Sequence, residues 1–260
     1  MTALTAARKR TSKDARILNA PVKAGAQIWQ NGLVALKAGV AAAALVATSR
    51  ADLDATRVIG IAAASATGGA GDGDVRVDID RGEAIAFANS GGGDAITLAD
   101  VGNPAFVVDD QTVARTIGNG NRPIAGEIVD VDSEGVWVAV GRNTAPRRLR
   151  IPFEIPQTEL LAPTSIELVS PVAGAITRAE GIVQTAITTG GDVTFLVGAT
   201  PVDGLTLTFA DGAAKGTVVS DEPTHAHAST VVAAGGRIQV SPSAAFATAG
   251  AVRGYVEISF

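Results

Sequence analysis

Residues 101–141 read Val-Gly-Asn-Pro-Ala-Phe-Val-Val-Asp-Asp-Gln-Thr-Val-Ala-Arg-Thr-Ile-Gly-Asn-Gly-Asn-Arg-Pro-Ile-Ala-Gly-Glu-Ile-Val-Asp-Val-Asp-Ser-Glu-Gly-Val-Trp-Val-Ala-Val-Gly, and this stretch decides the fold class. Phe106 to Val108 is a short β-type run with turn formers on both sides. Ile124 to Val131 and Val136 to Val140 are two more, joined by Asp132-Ser133-Glu134-Gly135. That joint predicts a hairpin of the longer-loop kind, because Gly135 can adopt the positive φ such a loop needs. Side chains alternate across a strand, so Val136, Val138 and Val140 share one face while Trp137 and Ala139 share the other. Three antiparallel strands with no room for a helix between them predict a compact β-domain.

Working toward the N-terminus, Gln27 to Leu36, Ala41 to Thr48 and Val58 to Ala62 read as strands, with a loop or short helical turn at Arg50 to Ala55. Val75, Val77 and Ile79 alternate with Asp74, Arg76, Asp78 and Asp80, the pattern of a half-buried strand. The glycines of Thr67 to Asp74 lack the Lys-Ser/Thr of a P-loop, and the nearby carboxylates lack the spacing of an EF-hand.

Two series of residues resemble a known family. Gly102-Asn103-Pro104-Ala105-Phe106-Val107, Asp109-Asp110, Ile124-Ala125-Gly126-Glu127-Ile128-Val129 and Val136-Trp137-Val138 resemble the end of the small β-domain of bacteriophage capsid decoration, or cement, proteins. Asn31 to Leu36 and Val58 to Ala62 are similar to its opening. The resemblance covers roughly residues 24 to 141. It implies a structural virion protein on the outer surface of a capsid, with the major capsid protein and further copies of itself, as a trimer, for partners.

The 260 residues are 47% hydrophobic but only 4% aromatic, and 30 are glycine, a composition suited to many short strands over modest cores. Cysteine is absent, which excludes disulfides and thiolate chemistry. The net charge of −5 hides a polarity. Residues 1–50 hold eight of the 21 basic residues against Asp14 alone; the rest hold 13 basic and 25 acidic. A basic arm before an acidic body suits docking onto an acidic neighbour, another copy included. Arg8, Lys9, Arg10, Lys13 and Arg16 are the capsid-docking candidates. Specific nucleic-acid binding is not expected, because the arm lacks interleaved aromatics and the body would repel phosphate. Neither a membrane span nor a signal peptide is expected.

Arg142 to Pro163 carries four prolines and reads as an extended connector. Its Leu149, Ile151, Phe153 and Ile155 alternate with charged or proline residues, and such an apolar row marks a contact between domains or subunits. Arg147, Arg148, Arg150 and Phe153 are the candidates for it. From Thr164 short strands recur with turns at Gly190-Gly191, Asp203-Gly204, Asp211-Gly212 and Gly235-Gly236, the pattern of a β-sandwich or jelly roll. This half is similar in pattern to the sandwich modules of phage structural proteins. His225 and His227 would point the same way from a strand and are weak metal candidates, since no third ligand can be placed.

The expected fold is therefore all-β: an extended basic arm (1–23), a small β-barrel-like domain (24–141), a Pro/Arg-rich linker (142–163) and a C-terminal β-sandwich or jelly-roll-like domain (164–260). No enzyme signature is present and no cofactor is expected. The competing reading is a tail or fibre module that binds carbohydrate or a host surface through the sandwich. That reading requires an exposed aromatic platform after Thr164, where Phe195, Phe209, Phe246, Tyr255 and Phe260 are the only aromatics. A surface-layer or adhesin fragment is a third possibility and would carry a secretion signal.

Overall fold

A computed structural model of the protein describes residues 16–141, 144, 145, 147–243, 246 and 250–260. Its regular structure is almost entirely β. The 101–141 stretch supplies four strands of a closed five-stranded barrel and Ala84–Asn89 the fifth, in the order Thr112–Ala114, Ala84–Asn89, Gly135–Val140, Ile124–Asp132, Pro104–Val107. Closure comes from Thr112–Ala114, antiparallel to Pro104–Val107 and parallel to Ala84–Asn89. Gly135 makes the hairpin turn at φ 136°. Val136, Val138 and Val140 are buried, and Trp137 lies on the outer face.

Val129 is a β-bulge: Ile128 faces Val138, but the next rung pairs Asp130 with Trp137. A bulge shifts the alternation by one residue. Glu127, Asp130 and Asp132 consequently all face outward while Ile128 stays in the core.

Ahead of the barrel lies a second β-unit, where a single barrel-like domain was expected. Its sheet runs Ile17–Pro21, Arg76–Asp80, Arg57–Ala62, Leu33–Lys37, Val40–Ala43. It curls far enough for Val22 to bridge Ala41. The sheet is buried on both faces: Leu33, Ala35 and Val58 pack into the barrel's core, while Val34, Ala41, Val77 and Ile79 pack with Val22 and Ile28 on the other side. Ile17–Pro21 falls inside the expected arm, yet it pairs residue for residue with Arg76–Asp80, because Leu18 and Ala20 have apolar partners there. The expected strand over Gln27 to Leu36 is broken at Asn31, whose φ of 64° turns the chain.

The connector also differs from expectation. Arg148–Ile155 is an eight-residue strand paired along its length with Val252–Ser259. Phe153 and Ile155 join the sandwich core and Ile151 packs against it, so the apolar row serves this domain's own interior. Pro152 is tolerated because the strand lies at the sheet's edge, with no partner strand on its other side among the described residues. Gln157–Leu161 then makes a short helix that buries Leu160.

The sandwich has two sheets. One runs Arg148–Ile155, Val252–Ser259, Gly174–Val183, Val218–Asp221; the other runs Ile166–Val169, Arg237–Pro242, Gly191–Val197, Thr200–Phe209. Between them sits one core built on Phe153, Phe195, Phe209 and Phe246, with Phe153 edge-on to Phe195 at 5.9 Å.

Candidate interaction surfaces

The halves meet along a joint of apolar and charged contacts. Phe106, Ile117 and Ile124 of the barrel half pack against Ala175 of the sandwich. Gly120 comes so near that a Cβ there would stand 2.9 Å from the Ala175 Cβ. Beside this cluster the helix Arg50–Ala55 presents Arg50 and Asp54 to the sandwich. Arg148 bridges the two halves, with Nη2 2.8 Å from Asp54 Oδ1 and Nη1 3.3 Å from Glu257 Oε1. Arg50 pairs with the same Asp54 oxygen at 3.1 Å. Burial lowers the Arg50 pKa, an effect that Asp54 opposes.

Glu257 is only 3% exposed and anchors the sandwich side of this network. It also takes Arg150 Nε at 3.1 Å, and Thr177 Oγ1 reaches its Oε1 at 3.3 Å. Arg150 stacks over the Tyr255 ring at 4.3 Å, and Tyr255 donates to Glu180 at 3.2 Å. The Glu257 hydrogen bond raises the Arg150 pKa, while burial followed by Glu180 raises that of Tyr255.

The four residues expected at a domain or subunit contact thus separate. Arg148 reaches across the joint, and Arg150 remains on the sandwich's outer face. Arg147 exchanges backbone hydrogen bonds with Phe260, adding a rung after Ser259. Phe153 is core. Of the five arm residues, Arg8, Lys9, Arg10 and Lys13 lie outside the described residues. Arg16 is exposed, and its carbonyl accepts from Arg81 N at 2.8 Å.

His225 and His227 lie in a loop, with Ala226 at φ 57° between them. His225 Nε2 lies 3.3 Å from Ala47 O, a contact across the joint, whereas His227 Nδ1 meets Ser229 Oγ at 2.8 Å. The two histidines thus have separate partners, one across the joint and one two residues away. No group of three or more potential metal ligands occurs among the described residues. The carboxylates of the glycine-rich loop cap the backbone: Asp72 accepts from Ala24 N and Asp74 from Gly71 N.

Two crevices line the joint. One, of about 20 Å³, is bounded by Arg50, Gly120, Thr177 and His225; the other, of about 10 Å³, by Leu53, Phe106, Ile117 and Phe260. Each holds on the order of one water. In the sandwich Phe195, Phe209 and Phe246 are buried, Phe260 is half-buried at the joint, and Tyr255 lies beneath Arg150.

Among the described residues, exposed large apolar side chains are more numerous in the first half, where Trp29 (62%), Leu45 (56%), Leu98 (66%), Val101 (44%) and Val129 (41%) stand out; Leu161, Val169 and Val218 are exposed in the second. Around Trp29, Gln30 N donates to Ser65 Oγ and Asn31 N to Ala62 O. Around Leu98, Asp100 accepts from both the amide and the hydroxyl of Thr97. The sequence patterns gave no warning of Trp29 or Leu98: Trp29 falls in the break of the expected Gln27 to Leu36 strand, and Leu98 opens the short 3-10 helix Leu98–Asp100, where period-2 reasoning does not apply.

No protein-family model matches the chain, and no curated protein matches it. Solved structures of infectious bursal disease virus, of the Gx and Gt strains, align with 94% of this chain and 70% of theirs. The identities are 9% and 10% and the TM-scores 0.27 and 0.25, values that carry no argument about fold or function.

Proposed function

We propose that this is a structural virion protein, not an enzyme, which binds the outer surface of a phage capsid as a symmetric oligomer and cements neighbouring capsomers. The observation that carries the reading is the set of exposed apolar side chains on the first half, Trp29, Leu45, Leu98, Val101 and Val129 among them, against Leu161, Val169 and Val218 on the second. Exposed apolar surface on fixed backbone favours protein contact, since little conformational entropy remains to be lost on binding. The arm and first half would meet the shell, and the sandwich would project from it. The basic arm adds electrostatic attraction to an acidic surface, with Arg8, Lys9, Arg10, Lys13 and Arg16 as its contacts. Closed symmetry, as in a trimer, turns weak contacts into avidity.

Light scattering of the purified protein, followed by co-sedimentation with undecorated phage heads at low and high salt, tests this. The expected outcome is a trimer that pellets with heads, less as salt rises. A monomer that stays in the supernatant at every salt concentration overturns it.

A further inference from the structure

The sandwich ends in an open edge. Arg148–Ile155 pairs with Val252–Ser259 on one side and, among the described residues, with no strand on the other. Arg147 and Phe260 exchange both backbone hydrogen bonds, and the alternation of an antiparallel ladder carries that pattern on to Leu149, Ile151, Phe153 and Ile155. The backbone groups of Arg148, Arg150, Pro152 and Glu154 therefore point away from the sheet. Pro152, which has no N–H, occupies one of these outward positions, so the sheet loses no bond to it. The apolar row along this edge is incompletely covered. Phe153 and Ile155 are buried, but Leu149 and Ile151 are half-buried, and so are Ile166 and Leu168 on the edge strand of the facing sheet.

We propose that this edge pairs with the same edge of a second copy, antiparallel about a two-fold axis at Ile151. The residues themselves select that register. A slip of one residue would turn the apolar row of one copy to the other's outer face, so only slips of two compete. With the axis at Ile151, Arg148 stands opposite Glu154 of the second copy, and Arg150 opposite Pro152 of the second copy. Each Arg148–Glu154 pair then offers two hydrogen bonds, and each Arg150–Pro152 pair one, from Arg150 N to the proline carbonyl. Moving the axis to Arg150 sets that arginine against itself; moving it to Pro152 sets two residues without donors against each other. Charge and proline, which guard an edge against indiscriminate pairing, thus leave one favoured register.

On the core face the two Ile151 side chains meet at a close, non-hydrogen-bonded position, and each covers apolar surface left open beside the other. On the outer face Glu154 already meets Arg253 at 3.1 Å, and Arg148 meets Asp54 and Glu257, so the cross-copy pair extends an existing network. Its charges are exposed and fix the register more than they add affinity. An eight-residue edge is small beside the roughly 1,600 Å² of a standard interface, so free chains pair weakly. The pairing does not rest on the shell reading. On a shell, where copies stand side by side at high effective concentration, it would link neighbouring sandwiches.

The chain has no cysteine, so a disulfide from a variant with one cysteine joins two chains. Ile151→Cys sets the two thiols together at the axis. Val218→Cys, at the opposite edge of the same sheet, replaces a side chain that is 55% exposed and gives the more accessible thiol. In the full-length protein at high concentration, mild oxidation is expected to bridge Ile151→Cys about tenfold faster than Val218→Cys, despite the poorer exposure. Glu154→Pro removes an outward N–H from each copy and, like Pro152, leaves the fold's own ladder intact. Added to Ile151→Cys it should slow the bridge about tenfold. Glu154→Lys, which sets like charges opposite each other, should also slow it. Circular dichroism reports that each variant is folded. An Ile151→Cys bridge no faster than the Val218→Cys bridge overturns the proposal, and so does a fast bridge that neither change at Glu154 slows.

Discussion

The two halves solve the same packing problem with different side chains. The sandwich fills one core with Phe153, Phe195, Phe209 and Phe246 among aliphatic residues. The first half divides its interior between two clusters built from valine, isoleucine, leucine and alanine, with Phe87 the only aromatic in either. Large rings let two sheets stand apart around a common interior, whereas small side chains suit tightly curved sheets whose walls approach closely. The lesson is that the aromatic-poor half gains its burial by layering, since the Leu33–Lys37 strand contributes to both clusters. Its burial is accordingly divided between two clusters of small side chains, whereas the sandwich gathers its rings and aliphatic residues into one.

Truncating one side chain in each half should break the comparison most severely. Phe195, fully buried and edge-on to Phe153, is expected to cost about 3–5 kcal/mol as Phe195→Ala. Ile128→Ala, equally buried in the barrel, should cost about 2–5 kcal/mol, toward the lower end if the neighbouring small side chains close the cavity. Calorimetry checks both values and whether each substitution lowers the melting of one half alone. Equal costs would remove the distinction between concentrated and distributed packing.

The joint is the next place to press. Glu257 lies between Arg148, Arg150 and Thr177; because both arginines are partly exposed and the Thr177 hydroxyl keeps Glu257 O as an acceptor, Glu257→Ala should cost about 1 kcal/mol. Arg148→Met keeps the stem and removes both ion pairs. Its partly exposed charges make a loss of about 1 kcal/mol or less the expectation. Only Arg148→Met should separate the unfolding of the two halves while leaving each as stable as before, which differential scanning calorimetry reports. A single unchanged transition would mean that the remaining contacts, Phe106–Ala175 and His225–Ala47 among them, couple the halves without Arg148.

Much of this architecture was legible in the sequence, and the parts that were not share a cause. The hairpin between Ile124 and Val140 was read from its glycine turn and from the strict alternation of Val136 to Val140, but the bulge at Val129 in its first arm was not. Arg148–Ile155 shows the same alternation, but its arginines and Pro152 suggested a connector. An edge strand permits proline, and its partner Val252–Ser259 lies about a hundred residues away, beyond any local pattern. Ile17–Pro21 was hidden in the same way, its partner lying near residue 78. Of the candidate contacts, Arg148 was suggested by the pattern. Asp54 and Glu257, which give Arg148 its role, were not, since only the folded topology brings helix, edge strand and final strand together.

The smallest effect concerns a single carboxylate in the first half. Asp52 accepts from both the amide and the hydroxyl of Thr48 and pairs with Lys37, while its own amide donates to Ser49 at the start of the helix. Burial alone would raise its pKa, but the Lys37 and Thr48 hydrogen bonds outweigh that and lower it from 3.8 to about 2. A carboxylate depressed on folding binds its proton more readily when unfolded, so it stabilises the fold above its unfolded pKa and loses that contribution on acidification. The contribution is full above about pH 4 and disappears as the pH falls toward about 2. Asp52→Asn should therefore lower stability at neutral pH by about 1 kcal/mol, and stability curves of variant and parent should converge across that window. Because the helix Arg50–Ala55 also carries Asp54, loosening its first turn should weaken the Arg148 contact as well. The effect of Arg148→Met should then be smaller in the Asp52→Asn background, a coupling that a double-mutant cycle measures directly.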